Sequence, residues 1–235
     1  MTNSTDMRHC VLGDNVIVEP NVLLGYGYLQ AEHPAKIGKH SHIHSGTVIY
    51  ADTDIGDFFT AGHNVTIRAH CRIGNRVVIL HGSTLEGNIV IGKGVKIMAH
   101  VYVPSQTRIG DMVFIGPGVT ILNARLPMRA SGLSGVTIGN HVVIGGGCTL
   151  LPGVSIGDNS FIGAGAVVTK DLPPNTLAYG NPARHYPLPG VLGTLNDPAQ
   201  IFQGRDLWNN QPDETWRDEE FPGKDTWITG ESKIK

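Results

Sequence analysis

Aliphatic residues recur at every sixth position through the middle of the chain. The unbroken run contains fifteen anchors, twelve of them isoleucine. The same phase resumes from Ile138 to Val168 and is visible in weaker form at Leu12, Val18 and Leu24. Because this period matches neither the helical period of about 3.6 nor the two-residue alternation of a half-buried strand, it predicts short strands joined by tight corners. The fifteen anchors are Ile37, Ile43, Ile49, Ile55, Ala61, Ile67, Ile73, Ile79, Leu85, Ile91, Ile97, Val103, Ile109, Ile115 and Ile121.

A second set of positions supports this register. The residue four places after each anchor is mostly small or β-branched, and glycine often follows the anchor directly, as at Gly38 and Gly56. We therefore expect two side chains of each hexad to face a narrow core, and the glycine to form a corner with unusual backbone angles. Cys71 and Cys148 belong to the second inward set, so the pattern predicts that both are core residues.

The frame breaks at two places, and each break predicts a loop that leaves the regular structure. The first loop is residues 25–36 and the second is residues 122–137. Insertions in repeat proteins lie on the surface and often carry function. Because the period is lost beyond residue 175, the sequence predicts a repeat domain over 1–175 and a C-terminal extension over 176–235.

Composition excludes several classes of protein. The 235 residues carry 16% charged side chains and a net charge of −2, so no basic surface for nucleic acid is expected. No apolar run approaches the roughly 18 residues that a membrane span needs, and the first residues lack the apolar core of a signal peptide. Three cysteines without CxxC spacing are typical of a reducing compartment. A cytoplasmic protein without a membrane partner is the resulting expectation.

The anchors and the end of the repeat carry a resemblance to a known family. The chain resembles the hexapeptide-repeat acyltransferases, and residues 169–175 and 180–184 are similar to the end signature of its acetyltransferases. The resemblance implies an all-β fold, a left-handed parallel β-helix in which three hexads form each triangular coil. The 24 hexads then predict about eight coils, with two loop excursions and an irregular C-terminal tail. The resemblance also implies a homotrimer that uses acetyl-CoA as co-substrate.

Residues 18 apart would stack about 4.8 Å apart in such a coil. This spacing gathers six polar residues beneath the second loop. Convergent polar groups in a groove predict a functional site, and the alternative is a solvated corner with a weak ion pair between Arg68 and Glu86. The six residues are Arg68, His70, Glu86, Asn88, Gln106 and Asn123.

Histidines form another column, in which His63 and His81 are 18 apart and His100 is one position out of register. The β-helix carbonic anhydrases bind zinc through three histidines, but this chain lacks the arginine and asparagine motifs of that family. A protein similar to the γ-carbonic anhydrases therefore remains an alternative, and no metal is expected. We interpret His42 and His44, on the outward side of one strand, as surface or subunit packing.

Two stretches resemble the branch that N-acetylates amino sugars on nucleotide carriers. They are residues 60–70 and 115–123, the latter followed by Pro127 and Arg129. The resemblance implies a nucleotide-linked amino sugar whose amine attacks the acetyl-CoA thioester directly. The chain departs from that branch at Leu122, where a threonine is usual, and at Ala124, where aspartate often follows.

The polar columns and the resemblance together predict three groups of site residues. The catalytic group is His70, Glu86 and Asn123. The amine would be deprotonated by His70, by Glu86 or by solvent. The oxyanion would be stabilised by Asn123 or by a backbone N–H. The expected substrate-binding residues are Arg68, Asn88, Gln106, Arg125 and Arg129. The expected acetyl-CoA-binding residues are Gly146 and Ala164 for the pantetheine arm, and Thr169, Lys170 and Arg184 for the phosphates or adenine.

Two further alternatives stay open besides the metal protein. An O-acetyltransferase of a sugar or small alcohol would use the same fold, although galactoside O-acetyltransferases place a histidine before the loop proline and this chain has Leu126 there. A catalytically silent assembly scaffold is the other alternative.

Overall fold

The repeat folds into a parallel β-helix. The computed structural model describes residues 9–27, 31–126, 132–190 and 192. Short strands follow one another in sets of three, and through the repeat each strand pairs in parallel with the strand three places later. Each set of three strands is one coil that lies on the coil before it. The strands make eight coils, which agrees with the number predicted from the hexads.

The strands form three faces, named in chain order. The first face contains β1 (Cys10–Leu12), β4 (Ala35–Ile37), β7 (Asp54–Ile55), β10 (Cys71–Ile73), β13 (Ile89–Ile91), β16 (Arg108–Ile109), β19 (Thr137–Ile138) and β22 (Ser155–Ile156). The second face contains β2 (Ile17–Val18), β5 (His42–Ile43), β8 (Thr60–Ala61), β11 (Val78–Ile79), β14 (Lys96–Ile97), β17 (Phe114–Ile115), β20 (Val143–Ile144), β23 (Phe161–Ile162), β25 (Thr176–Tyr179) and β26 (Arg184–Pro187). The third face contains β3 (Leu23–Tyr26), β6 (Val48–Tyr50), β9 (Thr66–Ile67), β12 (Thr84–Leu85), β15 (Tyr102–Val103), β18 (Thr120–Ile121), β21 (Thr149–Leu150) and β24 (Val167–Val168). We call the turns that follow these faces the first, second and third edges.

The predicted anchors form the core. Every anchor from Ile37 to Val168 is buried, with at most 5% of its surface exposed. The second inward set is buried from Ser41 to Val119 as well, and its largest member is Phe59. Burying one aliphatic side chain contributes roughly 1.5–3 kcal/mol, so this continuous ladder is the main source of stability.

Hydroxyl groups in the core are satisfied by the backbone. Thr47 Oγ1 donates to the carbonyl oxygen of Gly62 at 2.8 Å, and Ser83 Oγ donates to that of Met98 at 2.9 Å. A buried hydroxyl without such a partner would be costly. Small polar side chains are therefore tolerated where they can reach a carbonyl at an edge.

Cys71 and Cys148 are buried core residues, as the pattern predicts. The Sγ atom of Cys148 donates to the carbonyl oxygen of Gly163 at 3.1 Å. Burial raises the pKa of Cys71 to about 12 and also raises the pKa of Cys148. Both thiols therefore stay protonated at neutral pH, which makes them poor nucleophiles.

The corner residues differ from the prediction. Positive φ angles recur every six residues, but three positions after the anchor rather than one. The glycines that directly follow the anchors are required for another reason, since a Cβ on Gly38 would lie 2.4 Å from the carbonyl carbon of Gly56 in the next coil. The left-handed positions include His40, Gly46, Asp52, Phe58, Asn64, His70, Arg76, Gly82, Asn88, Gly94, His100, Gln106, Met112 and Gly118.

Side-chain oxygens continue the hydrogen bonding along the first edge. Asp57 Oδ1 accepts from the backbone N–H of Lys39 at 3.0 Å, and Asn75 Oδ1 accepts from that of Asp57 at 2.9 Å. Further along the helix, Asn140 Oδ1 accepts from the N–H of Asp111 at 2.8 Å. This ladder satisfies corner N–H groups that no strand can reach.

The first excursion is shorter than the predicted 25–36. Strand β3 continues to Tyr26, which pairs with Tyr50 across a bulge, and β4 begins at Ala35, which pairs with Cys10. The backbone groups at both ends of the predicted loop are thus used by the sheets. The second excursion is closed at its base by the N–H of Ser134, which donates to the carbonyl of Asn123 at 2.8 Å.

Regular structure continues past the predicted boundary at residue 175. Strand β25 pairs in parallel with β23, and β26 returns antiparallel to β25. The extension predicted over 176–235 therefore begins later than expected. One compact unit spans Met1–Asn196, and residues 197–235 lie outside the described part of the chain. Within the described ranges, no helix is long and apolar enough to cross a membrane.

Replacing Gly38 by alanine tests why glycine follows the anchor. The new Cβ would meet the backbone of the next coil, whereas a Cβ at Gly165, where φ is 71°, meets nothing within 4 Å. We expect Gly165→Ala to cost about 1 kcal/mol for the left-handed backbone alone. Gly38→Ala should cost about 3 kcal/mol, because the backbone has to shift. Urea unfolding followed by circular dichroism measures both, and equal losses would contradict the close-approach explanation.

Candidate active site

Residues of the third edge stack as the 18-residue spacing predicts. Strand β9 pairs with β12, so Arg68 lies beside Glu86, and Arg68 Nη1 donates to Glu86 Oε2 at 2.5 Å. The two side chains are 34% and 28% exposed. The carboxylate of Glu86 is thus engaged by a cation, which does not favour a role as general base.

Tyrosines extend this cluster across the third face. The Cζ atom of Arg68 lies 5.9 Å from the ring centre of Tyr50, and that ring packs edge-to-face against Tyr26 at 5.0 Å. Burial raises the pKa of Tyr102, and the nearby carboxylate of Glu86 raises it further. Sequence reasoning missed Tyr50 and Tyr102, although both occupy outward strand positions beside the predicted polar column.

His70 and Asn88 line a cavity of about 380 Å³ where the third edge meets the first face. Asp52, Arg72 and Arg108 line the same cavity. Both His70 and Asn88 are exposed and have left-handed backbone angles. The imidazole of His70 is therefore accessible to a ligand in the cavity.

A second cavity, of about 350 Å³, adjoins the first. It is lined by Gln106, Ser134 and Gly135 together with Asn88 and Arg108, which also line the first cavity. The structure thus brings His70, Asn88 and Gln106 to one groove that reaches the base of the second excursion.

Asn123 lies at that base but its side chain is already engaged. Its Nδ2 donates to the carbonyl oxygen of Ser105 at 3.1 Å and to Ser105 Oγ at 3.0 Å. Stabilising an oxyanion would require these bonds to be exchanged. Arg125 is exposed just beyond Asn123, whereas Arg129 lies outside the described residues.

The predicted pantetheine-binding residues stack on the second edge. Strand β20 pairs with β23, and the N–H of Gly165 donates to the carbonyl of Gly146 at 2.9 Å. The N–H of Gly147 donates in the same way to the carbonyl of Pro117 at 2.8 Å. The N–H groups of Gly146 and Ala164 take no part in these two bonds.

Three coils of the second edge present bare backbone. Gly118, Gly147 and Gly165 have φ angles of 67°, 68° and 71°, and among the described residues no atom beyond the glycine and its chain neighbours lies within 4 Å of the place where a Cβ would be. The resulting strip is about 10 Å long, given coils about 4.8 Å apart. An extended ligand with amide groups fits such a strip.

The remaining predicted acetyl-CoA residues lie elsewhere. Thr169 and Lys170 follow β24 on the third edge, and the exposed Arg184 begins β26 on the second face. The second and third edges are about six residues apart along the coil, or roughly 20 Å. A single chain therefore does not bring Gly146 together with Asn123.

Sequence reasoning also missed a charged row on the first face. Arg72 pairs with Asp54 on one side and with Val90 on the other, and Val90 pairs with Arg108. These outward residues are 18 apart, so the arithmetic used for the third edge could have found them. Among the residues that line the first cavity, the cations Lys36, Arg72 and Arg108 outnumber the carboxylates Asp52 and Asp54.

The predicted histidine column separates into two groups. His81 packs edge-to-face against His100 with ring centres 5.3 Å apart. His63 instead lies near His44, at 4.9 Å between ring centres, and near Glu19, whose Oε2 is 4.0 Å from His63 Nδ1.

Comparison with known proteins agrees with this architecture. The family described as bacterial transferase hexapeptide (six repeats) matches residues 88–123 and 135–170. The galactoside O-acetyltransferase of Escherichia coli is 43% identical over 105 residues, which are 42% of this chain and 49% of the relative. The bifunctional protein GlmU of Anaplasma marginale is 32% identical over 168 residues, which are 71% of this chain and 36% of the relative. The chain thus spans half or less of the length of these two relatives.

A solved structure shares most of the fold. The UDP-N-acetylglucosamine acyltransferase of Campylobacter jejuni aligns over 87% of this chain and 85% of its own, with a TM-score of 0.63 and 20% identity. This likeness concerns the fold alone and gives the coil its left hand. The family match identifies residues 88–123 and 135–170 as hexapeptide repeats of the bacterial transferase type, in keeping with the 18-residue register, and the fold is the left-handed parallel β-helix.

Proposed function

We propose that the protein transfers an acetyl group from acetyl-CoA to a sugar. The observation that carries the proposal is the strip of bare backbone on the second edge, where Gly118, Gly147 and Gly165 leave room for an extended pantetheine arm. The strip lies within the matched repeats, and the Escherichia coli relative is a galactoside O-acetyltransferase. The exposed Arg184 supplies a cation for the phosphates of the coenzyme, and Lys170, which lies on the third edge, would supply one from a neighbouring subunit.

We propose a nucleotide-linked amino sugar as the acceptor. The side of the groove that carries Arg72 and Arg108 suits the phosphates of a nucleotide carrier. An amine needs less base assistance than a hydroxyl, because it is a good nucleophile once it has lost one proton. This fits a groove in which Glu86 is paired with Arg68 and the exposed His70 is available as a base.

The proposed reaction is a direct transfer. The amine nitrogen forms a bond to the thioester carbonyl carbon, the carbon–sulfur bond breaks, and the coenzyme leaves as a thiolate that takes up a proton. The proton lost by the amine passes to His70 or to solvent. Because Asn123 Nδ2 is held by Ser105, a backbone N–H is the better oxyanion donor.

The separation of the two edges supports an active site between subunits. Roughly 20 Å of the third face lies between the strip that would hold the thioester and the groove beside His70. In a homotrimer, the second edge of one subunit can meet the third edge of its neighbour. We propose that each active site forms at such a contact.

O-acetylation of a sugar is the second candidate. It is favoured by the 43% identity with a galactoside O-acetyltransferase. In that case His70 would have to act as the base, since a hydroxyl must be deprotonated as it attacks.

Ala164→Leu tests the coenzyme strip. The larger side chain would cover the strip without adding backbone strain, because Ala164 is not a positive-φ position. Calorimetric titration with acetyl-CoA should give micromolar binding near one site per chain for the unchanged protein and at least about tenfold weaker binding for the variant. Lys93→Leu, which adds a leucine on the first edge, is the control. Equal affinities in all three proteins would contradict the assignment of the strip.

Arg108→Ala tests the acceptor. In the unchanged protein, kcat/KM measured by thiol release should be at least about tenfold higher with UDP- or dTDP-linked amino sugars than with galactosides. The variant should raise KM for the nucleotide sugar about tenfold with little change in kcat, since a remote phosphate contact contributes uniform binding. Lys93→Ala serves as the control. Faster transfer to galactosides would favour O-acetylation. An unchanged KM in the variant would contradict a contact between Arg108 and the phosphates.

Subunit mixing tests whether the active site is shared. Ala164→Leu blocks the second-edge half of the site, and His70→Trp, which fills the groove with a larger ring, blocks the third-edge half. Co-expression of the two inactive chains should restore up to about a quarter of the normal activity, because some contacts then pair two unaltered edges. Mixing the separately purified proteins without subunit exchange should restore none. Absence of recovery after co-expression would mean that one chain holds the whole site.

A further inference from the structure

Outside the groove, four side chains converge at the start of the second edge. Glu19 Oε1 lies 2.7 Å from His44 Nδ1 and 3.3 Å from His42 Nε2. Glu19 Oε2 lies 4.0 Å from His63 Nδ1. One ligand atom from each of Glu19, His42 and His44 can be chosen so that all three lie within 4.8 Å of one another.

Three successive coils build this cluster. Strand β2 pairs with β5, and the N–H of Glu19 donates to the carbonyl of Ile43 at 3.0 Å, which sets the carboxylate beside His44. His42 and His44 flank the buried Ile43, so both rings project outward and stack with centres 4.0 Å apart. The following coil adds His63.

Ser45 holds the carboxylate in place. Its backbone N–H and its hydroxyl both donate to Glu19 Oε2 at 3.0 Å. The bond from the backbone N–H of Ser45 is the main reason that the pKa of Glu19 falls to about 2. Burial lowers the pKa of His44, which favours the neutral imidazole. Metal ligands in proteins are typically oriented by neighbours in this way and bind in these protonation states.

We propose that Glu19, His42 and His44, with His63 as a fourth ligand, form a binding site for a divalent transition metal such as Zn²⁺. Tetrahedral zinc with bonds of about 2.0–2.1 Å requires ligand atoms about 3.3–3.5 Å apart. The contact from Glu19 to His42 already has this length, and the contact from Glu19 to His44 has to open by about half an ångström.

The donor set selects the class of ion. Imidazole with one carboxylate suits Zn²⁺, Co²⁺ or Ni²⁺, whereas Ca²⁺ and Mg²⁺ prefer oxygen ligands. The ion would join the first three coils, because its ligands come from all three. This site is separate from the groove that contains His70, and it departs from the expectation of no metal, because sequence spacing did not bring Glu19 to the histidines.

Zinc binding by the EDTA-treated full chain, without acetyl-CoA, tests the proposal. Calorimetry should show one Zn²⁺ per chain, and Co²⁺ should give a tetrahedral visible spectrum. Glu19→Gln keeps the side-chain size, and His42→Gln and His63→Gln alter side chains that are not fully buried. We expect Glu19→Gln and His42→Gln to weaken Zn²⁺ binding at least about tenfold, and His63→Gln to weaken it less. The thermal midpoint of the unchanged protein should rise with Zn²⁺ concentration.

His100→Gln is the matched control. It removes a histidine from the same edge that packs against His81 and does not contact Glu19 in the described structure. Its zinc affinity should stay within about twofold of the unchanged protein. The proposal is overturned if the stripped protein binds no metal, if Glu19→Gln and His42→Gln bind as well as the unchanged chain, or if His100→Gln alone abolishes binding. None of these outcomes depends on acetyl transfer.

Discussion

The hydrogen bonds between successive coils are the interaction on which the whole structure depends. The N–H of Val78 donates to the carbonyl of Val95 at 2.9 Å, and the N–H of Lys96 donates to that of Val113 at 2.8 Å, in a ladder that continues along each face. These bonds form only if every coil repeats the path of the one before it. Each sequence position therefore lies above the same position of the neighbouring coil, and a side chain that fits once must fit again 18 residues later.

This constraint decides where chemistry can be placed. The described interior is too narrow for charged groups and contains mostly aliphatic residues, with Phe59, two cysteines and small hydroxyls that reach a carbonyl. Functional groups are left to the outer faces and the edges, where they form columns such as Arg68 above Glu86. The regular prism also holds the edges apart, so the bare strip beside Gly147 and the groove beside His70 lie on different edges. Rigid coils thus hold the strip and the groove at fixed positions on separate edges.

Counting 18 residues along the sequence predicts which side chains stack where the repeat is unbroken. The count fails where an excursion changes the number of residues between successive coils. Arg68 and Glu86 are 18 apart, and their pairing was foreseeable. Glu19 and His44 are 25 apart because the first excursion lies between them, and Asp111 and Asn140 are 29 apart because of the second. The role of the anchor-following glycines was also misjudged, since a period shows that a small residue is needed but does not distinguish close approach from left-handed backbone angles.

The sequence period by itself determined the buried anchors and the core position of Cys71, because both follow from a local pattern repeated many times. The coil of three hexads, and with it the number of coils, came from the resemblance to a known family. Only the tertiary structure decided which polar groups meet across an excursion and how each side chain is engaged. The pairing of Asn123 with Ser105 and the convergence of Glu19 with three histidines are of this kind. The physical reason is that burial of an aliphatic ladder is non-directional and tolerates any equivalent residue, whereas a polar site depends on distances of a few tenths of an ångström between particular atoms.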